Sequence, residues 1–214
     1  TKYNGFEVIS SGNEKVIQFN NFGYQLNQVN HEGIQYLKPE MNGAGTVVDP
    51  GEPFLPTITT FYAVEPGKSY TASIQVLESE TLNNIEIIPF DSWENEINSS
   101  ITKGPSYSEN ILFPENIIST SEPIIMRELV MIQVSLTPFQ YNPVTKDLTI
   151  IENAEISLIE IESNDVPFIP SKRSKAFEAI YESMIVNYSS LSRDNIEYQR
   201  PGILYVLPSN IGDL

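Results

Sequence analysis

Residues 65–76 read EPGKSYTASIQV, and this stretch decides the fold class. Glu-Pro-Gly-Lys is turn chemistry: the proline presets one backbone angle and the glycine supplies a left-handed one. After the turn, Tyr70, Ala72, Ile74 and Val76 alternate with Thr71, Ser73 and Gln75. A period of two places the apolar set on one face of a half-buried strand. Upstream, residues 57–64 read as the strand that feeds the turn. Downstream, Ile85, Ile87 and Pro89 continue the alternation after an Asn-Asn turn.

The same pattern spreads outward. Residues 15–19, KVIQF, form a short strand, and 24–29 pairs with 34–37 across NHEG, a hairpin-like turn. Residues 39–56 carry Gly43, Gly45, Pro50, Gly51, Pro53 and Pro56, so they read as a loop. Residues 91–123 are polar, with Trp93 and Tyr107 isolated in them, and read as a long excursion. Beyond it, Val130, Ile132, Val134 and Leu136 share one face of a strand, Asn142-Pro143 starts a turn, and 148–151 pairs back. A further strand covers 155–161, with a shift of apolar phase between Leu158 and Ile159 that suggests a bulge.

The character changes at Asp165. VPFIPSKRS is a linker, and Ser171 or Ser174 is placed to cap a helix. Ala176, Phe177, Ile180, Tyr181, Met184, Ile185 and Tyr188 recur at helical spacing as one apolar stripe. Residues 203–207, ILYVL, are a continuous apolar run of the kind found in buried parallel strands. The expected organisation is a mainly β chain: an antiparallel β-sandwich (jelly-roll or Ig-like) over 1–163, a linker and helix over 164–200, and over 201–214 the first strand of an α/β domain.

Composition excludes whole classes of function. The chain has 28 acidic and 12 basic residues among 214, a formal net charge of -16. Such a field repels nucleic acid and anionic lipid. With 40% hydrophobic residues there is enough apolar material for a core. No run approaches the roughly 20 apolar residues a membrane span needs, so membrane insertion is not expected. The absence of cysteine removes disulfides, zinc-thiolate sites and a thiol nucleophile. The single histidine, His31, lies in the NHEG turn and reads as a surface residue.

The remaining polar residues point to no catalytic or metal site. Glu78 with Glu80, or Asp91 with Glu94 and Glu96, would need to face each other across a cleft to act as a glycosidase pair. Carboxylates are so abundant here that solvated surface is the simpler reading. No cofactor is expected. Calcium is the one ion an acidic, oxygen-rich chain would suit, yet 91–96 lacks the alternating ligands and central glycine of a calcium loop. Trp93 and the tyrosines suit either a sugar platform or ordinary sheet packing. Asn98-Ser99-Ser100 and Asn187-Tyr188-Ser189 match the glycosylation pattern. The sparse basic residues say more. Lys172, Arg173 and Lys175 cluster in the linker, where proteases nick. Arg127 stands near the start of a strand just after SEPII, as a surface residue or as a side chain displayed to a partner.

GEPFLP with the following strand and AVEPGKSYTASIQV resembles the N-terminal pro-region of gingipain-like cysteine peptidases, family C25. PFQYNPVTKDLTIIENAEISLIEI resembles the later part of that pro-region. The linker, AFEAIYESMIVNY and RPGILYVLP resemble the passage into the peptidase domain. The resemblance implies a non-catalytic β-sandwich that inhibits a secreted or cell-surface cysteine endopeptidase and assists its folding. Its partner would be its own downstream peptidase domain, with the catalytic residues beyond residue 214. It also implies that Arg127 is the inhibitory contact, and that processing falls at Lys172, Arg173 or Lys175, with cleavage within 170–177. A rigid sandwich would supply the binding surface, and a loop such as 91–123 the segment that fills a cleft. The other reading is a stand-alone extracellular β-sandwich binding module, an adhesin or carbohydrate binder. A following domain with a His-Gly and a strand-end Cys separates the two.

Overall fold

The computed structural model of the chain describes residues 5–12, 14–91, 102–161, 172–191, 197–200 and 202. The strands are β1 (Phe6–Ser11), β2 (Lys15–Asn20), β3 (Gln25–His31), β4 (Ile34–Glu40), β5 (Ile58–Val64), β6 (Ser69–Leu82), β7 (Ile118–Thr120), β8 (Ile124–Met126), β9 (Leu129–Leu136), β10 (Phe139–Asn142) and β11 (Asp147–Ile161). Among the described residues one α-helix, α1, spans Lys175–Met184, with short 3-10 turns at Pro105–Ser108 and Tyr188–Ser190.

The first sheet is built around β11. Along one side β11 pairs with β6, from Leu148↔Leu82 to Ile161↔Ser69. Along the other it pairs first with β10 and then with β2, which in turn carries β1. The second sheet is centred on β9, with β5 on one side and β7 and β8 end to end on the other. All these pairs are antiparallel. The sheets close over one core, in which Phe6, Ile17, Phe19, Tyr141, Leu148 and Ile156 meet Ile58, Tyr62, Ile132, Val134 and Leu136. Each such side chain contributes about 1.5–3 kcal/mol by leaving water. The expected antiparallel sandwich is what forms. The separate β3–β4 hairpin turns at Glu32-Gly33, both with positive φ, as a two-residue hairpin requires.

The structure corrects several local readings. Residues 147–161 are one strand rather than two, because β11 runs through an irregularity at Ile151–Ala154 without leaving the sheet. No bulge occurs at Leu158: pairing with β6 is unbroken from Ala154 to Ile161, and Ile159 and Ile161 are simply half-exposed. Ile85 and Ile87 belong to no strand. They lie in an irregular strip joined to β4 by Leu37 N–H→Glu86 O (2.7 Å) and Ile88 N–H→Leu37 O (3.1 Å). Two tyrosine hydroxyls pin that strip, Tyr141 to Ile85 O (2.9 Å) and Tyr107 to Ile87 O (2.8 Å). The excursion over 91–123 therefore contains strand β7 and a tyrosine packed on the main core, not an isolated aromatic. Trp93, Glu94, Glu96 and Asn98 lie outside the described residues, as does the run 203–207.

Pro39 and Glu40 belong to β4, and the loop that follows is held in place by specific contacts. Gly51 takes φ +91°, and a Cβ there would sit 3.0 Å from Gly104 N and Thr102 O. Only glycine tolerates both conditions. Phe54 N–H bonds Ile88 O, and Leu55 is fully buried. The GEPFLP motif is thus a structural plug.

Candidate functional site

The outer face of the second sheet carries the site. In β9 the residues Leu129, Val130, Met131 and Ile132 are all buried, whereas beyond them burial alternates. The continuous apolar run exists because both faces of this half are covered. The sandwich core covers one, and α1 covers the other. Tyr181, Ile185 and Tyr188 pack with Leu129, Met131 and Ala63, flanked by Phe61, Met126, Phe177 and Met184. Of the expected helical stripe, Ala176 and Ile180 instead face solvent, because the contact face is narrower than the apolar pattern. A ten-residue helix is too short to persist alone, so docking is what maintains it. Ser174 occupies the N-cap position, as expected, but its side chain makes no cap hydrogen bond.

The segment after α1 stitches the helix to the edge of β5. Val186 N–H donates to Phe61 O at 2.9 Å. Asn187 is 4% exposed; its Oδ1 accepts from Ala63 N–H (2.8 Å) and its Nδ2 donates to Ala63 O (2.9 Å). A side-chain amide here does the work of a paired strand and protects an otherwise open sheet edge. Its match to the glycosylation pattern is incidental in the folded chain, since both amide atoms are engaged.

Arg127 lies in the turn between β8 and β9, not after a loop: SEPII contributes β8 itself. Met126 pairs with Leu129, leaving Arg127-Glu128 as a two-residue turn. Arg127 holds φ 58°, in a place glycine normally takes. Its guanidinium stands 4.7 Å from the Phe177 ring centre and donates to Gln199 Oε1 at 3.0 Å. Its Nε lies 3.6 Å from Glu128 Oε2, and the Glu128 side chain is only 4% exposed.

The linker cations arrive at the same place. Arg173 N–H donates to Glu197 O (3.2 Å), and Gln199 N–H donates to Arg173 O (2.7 Å). Lys172 Nζ pairs with Glu197 Oε2 at 2.6 Å, and Lys175 Nζ lies 5.4 Å from the Tyr198 ring centre. Arg173 also leans over the Tyr188 ring, whose hydroxyl donates to Glu178 Oε2 at 2.6 Å. Burial pushes the Tyr181 hydroxyl up to about 12; the Glu128 charge pushes the same way, and the Arg127 and Arg173 charges oppose both. Tyr181 therefore stays protonated at neutral pH and offers neither a base nor a nucleophile. All four basic residues singled out in the sequence converge on one surface, a juxtaposition that no sequence spacing signals.

The other candidates stay apart. His31 closes β3 beside Glu32, 3.9 Å away, at the hairpin tip. Glu78 and Glu80 sit on one exposed strand, so they do not face each other across a cleft. Among the described residues, no group of three His, Cys, Asp or Glu side chains is placed to hold a metal. No helix among them is long and apolar enough to cross a membrane.

Comparison with known proteins bears on the family and the fold. The Propeptide_C25 family model matches residues 6–196, a span that includes α1. Gingipain R2 of Porphyromonas gingivalis is 25% identical over 198 residues, covering 86% of this chain and 27% of the relative. Gingipain R1 of the same organism is 29% identical over 164 residues, covering 73% of this chain and 16% of the relative. The chain thus spans about a quarter or less of the curated relatives it matches. Two solved structures share the fold. The complex of P. gingivalis RgpB pro- and mature domains aligns with TM-score 0.72 at 24% identity, covering 86% of this chain and 98% of that one. A structure concerning the zymogenic latency of gingipain K aligns with TM-score 0.61 at 14% identity, covering 76% and 96%. The chain belongs to the Propeptide_C25 family and is a pro-region, not a catalytic domain.

Proposed function

We propose that this pro-region binds a gingipain-like cysteine peptidase domain encoded downstream of it, holds that domain latent, and assists its folding outside the cytoplasm. The observation that carries the reading is the pro-region match across 6–196 on a prebuilt two-sheet platform. Inhibition by a separate domain favours such a platform, because little conformational freedom is lost on docking. The solved neighbour at TM-score 0.72 is itself a complex of pro- and mature domains, which supports the same arrangement here. In this reading the β8–β9 turn meets the peptidase through Arg127, and maturation cuts within 170–177, at Arg173. The test is to refold the peptidase domain with and without this chain and to sequence the N-terminus of the matured enzyme. Higher recovery with the chain and a new N-terminus within 171–177 are expected. Equal recovery, or a terminus elsewhere, contradicts the reading.

A further inference from the structure

Three consecutive residues, Glu197, Tyr198 and Gln199, touch all four cationic candidates. Glu197 holds the Lys172 ammonium and accepts the Arg173 N–H; Tyr198 lies under Lys175; Gln199 bonds both the Arg173 carbonyl and the Arg127 guanidinium. We propose that this strip is a clasp that ties down the Arg173 backbone and holds the exposed Arg127 side chain, so that loosening at either one frees the other. The proposal rests on the reading of Arg127 as the contact residue and Arg173 as the processing residue.

The physical reason is competition for the same backbone groups. A protease takes its substrate as an extended strand and hydrogen-bonds it in its cleft. Arg173 already spends its N–H and its carbonyl on the strip, in a parallel bridge with Tyr198. One Arg173 guanidinium nitrogen is also buried. The Arg173–Ser174 bond is therefore reached only through local opening, and its cleavage rate follows the open population. The clasp also couples two events. A partner that draws Arg127 away from Gln199 loosens the strip at Arg173, and a loosened strip frees Arg127, because linkage between sites is reciprocal. Docking would then precede and promote cutting.

The test uses the purified chain and trypsin, with no peptidase present, so that clasp and inhibition fail independently. Gln199→Pro removes the N–H bonded to Arg173 and the side chain bonded to Arg127; Glu197→Ala removes the Lys172 pair. Loss of two net hydrogen bonds should speed cleavage after Lys172 and Arg173 about thirtyfold in Gln199→Pro, at an unchanged melting temperature. Arg127 modification by an arginine-selective dicarbonyl should rise severalfold in the same variant. Should Gln199→Pro fail to fold, Glu197→Ala and hydrogen exchange of the unaltered chain decide. Joint protection of the Arg173 and Gln199 amides supports the clasp. Unprotected amides, or cleavage and labelling unchanged in a folded variant, overturn it.

Discussion

Replacing Asn187 with Ala removes both side-chain hydrogen bonds that help tie the helical layer to the edge of β5. The residue is 4% exposed, and its two side-chain bonds measure 2.8 and 2.9 Å. A net hydrogen bond is worth about 0.5–1.5 kcal/mol, and a buried partner left unmade costs about 1–3. Ala63 would keep a stranded N–H and a stranded carbonyl, so the loss should be about 2–4 kcal/mol. That is a sizeable share of the 5–15 kcal/mol typical of a folded domain. Val186 N–H→Phe61 O survives the change, so the helix should loosen rather than vanish. Asn187→Asp should be no milder, because it keeps the acceptor, loses the donor and buries a charge. Urea unfolding followed by circular dichroism measures the effect. A shift below about 0.5 kcal/mol would refute the view that Asn187 substitutes for a missing strand.

Two further outcomes concern the pinned strip and the acid limb of stability. Tyr107→Phe should cost about 1 kcal/mol by losing the bond to Ile87 O while keeping the ring, and Tyr107→Ala about 3 kcal/mol by opening the core, both read from urea midpoints. Burial alone would raise the Glu86 carboxyl, but hydrogen bonds and charges from Lys103 and Lys146 outweigh it and hold it below the usual carboxylate range. A depressed folded-state value means the stabilisation is present above the unfolded value of about 4.3 and is lost as pH falls through the folded one. The chain should therefore outlast Glu86→Gln at pH 7, and that advantage should fade below about pH 4.3; an advantage that grows with acidity would reverse the sign.

Much of the sandwich was legible because its signals are local. The NHEG turn, the alternation in β6 and Asn142-Pro143 each depend on neighbours in sequence; the two turns formed as read, and the alternation held for Tyr70, Ala72 and Ile74 but not for Val76, which is exposed. The Asn142 side chain even accepts from Val144 and Thr145 N–H, closing the turn itself. Strands β7 and β8 were not legible. Each has three residues and borrows its order from β9, so no internal period announces them. The run LVMI announced a strand but not why both faces were apolar; that reason, α1, lies about 50 residues downstream. Asn187 looked like a modification motif, because its true partner is the backbone of Ala63, 124 residues away. The four cations were each conspicuous for rarity, yet only the fold brings them to Glu197–Gln199.

The most direct test of the central claim is a titration of the purified chain into the activated form of the gingipain-like peptidase proposed as its partner, read as residual peptidase activity. Loss of activity that saturates near one chain per enzyme is the expected result. Activity unchanged at large excess of correctly folded chain would contradict the role of a latency-imposing pro-region.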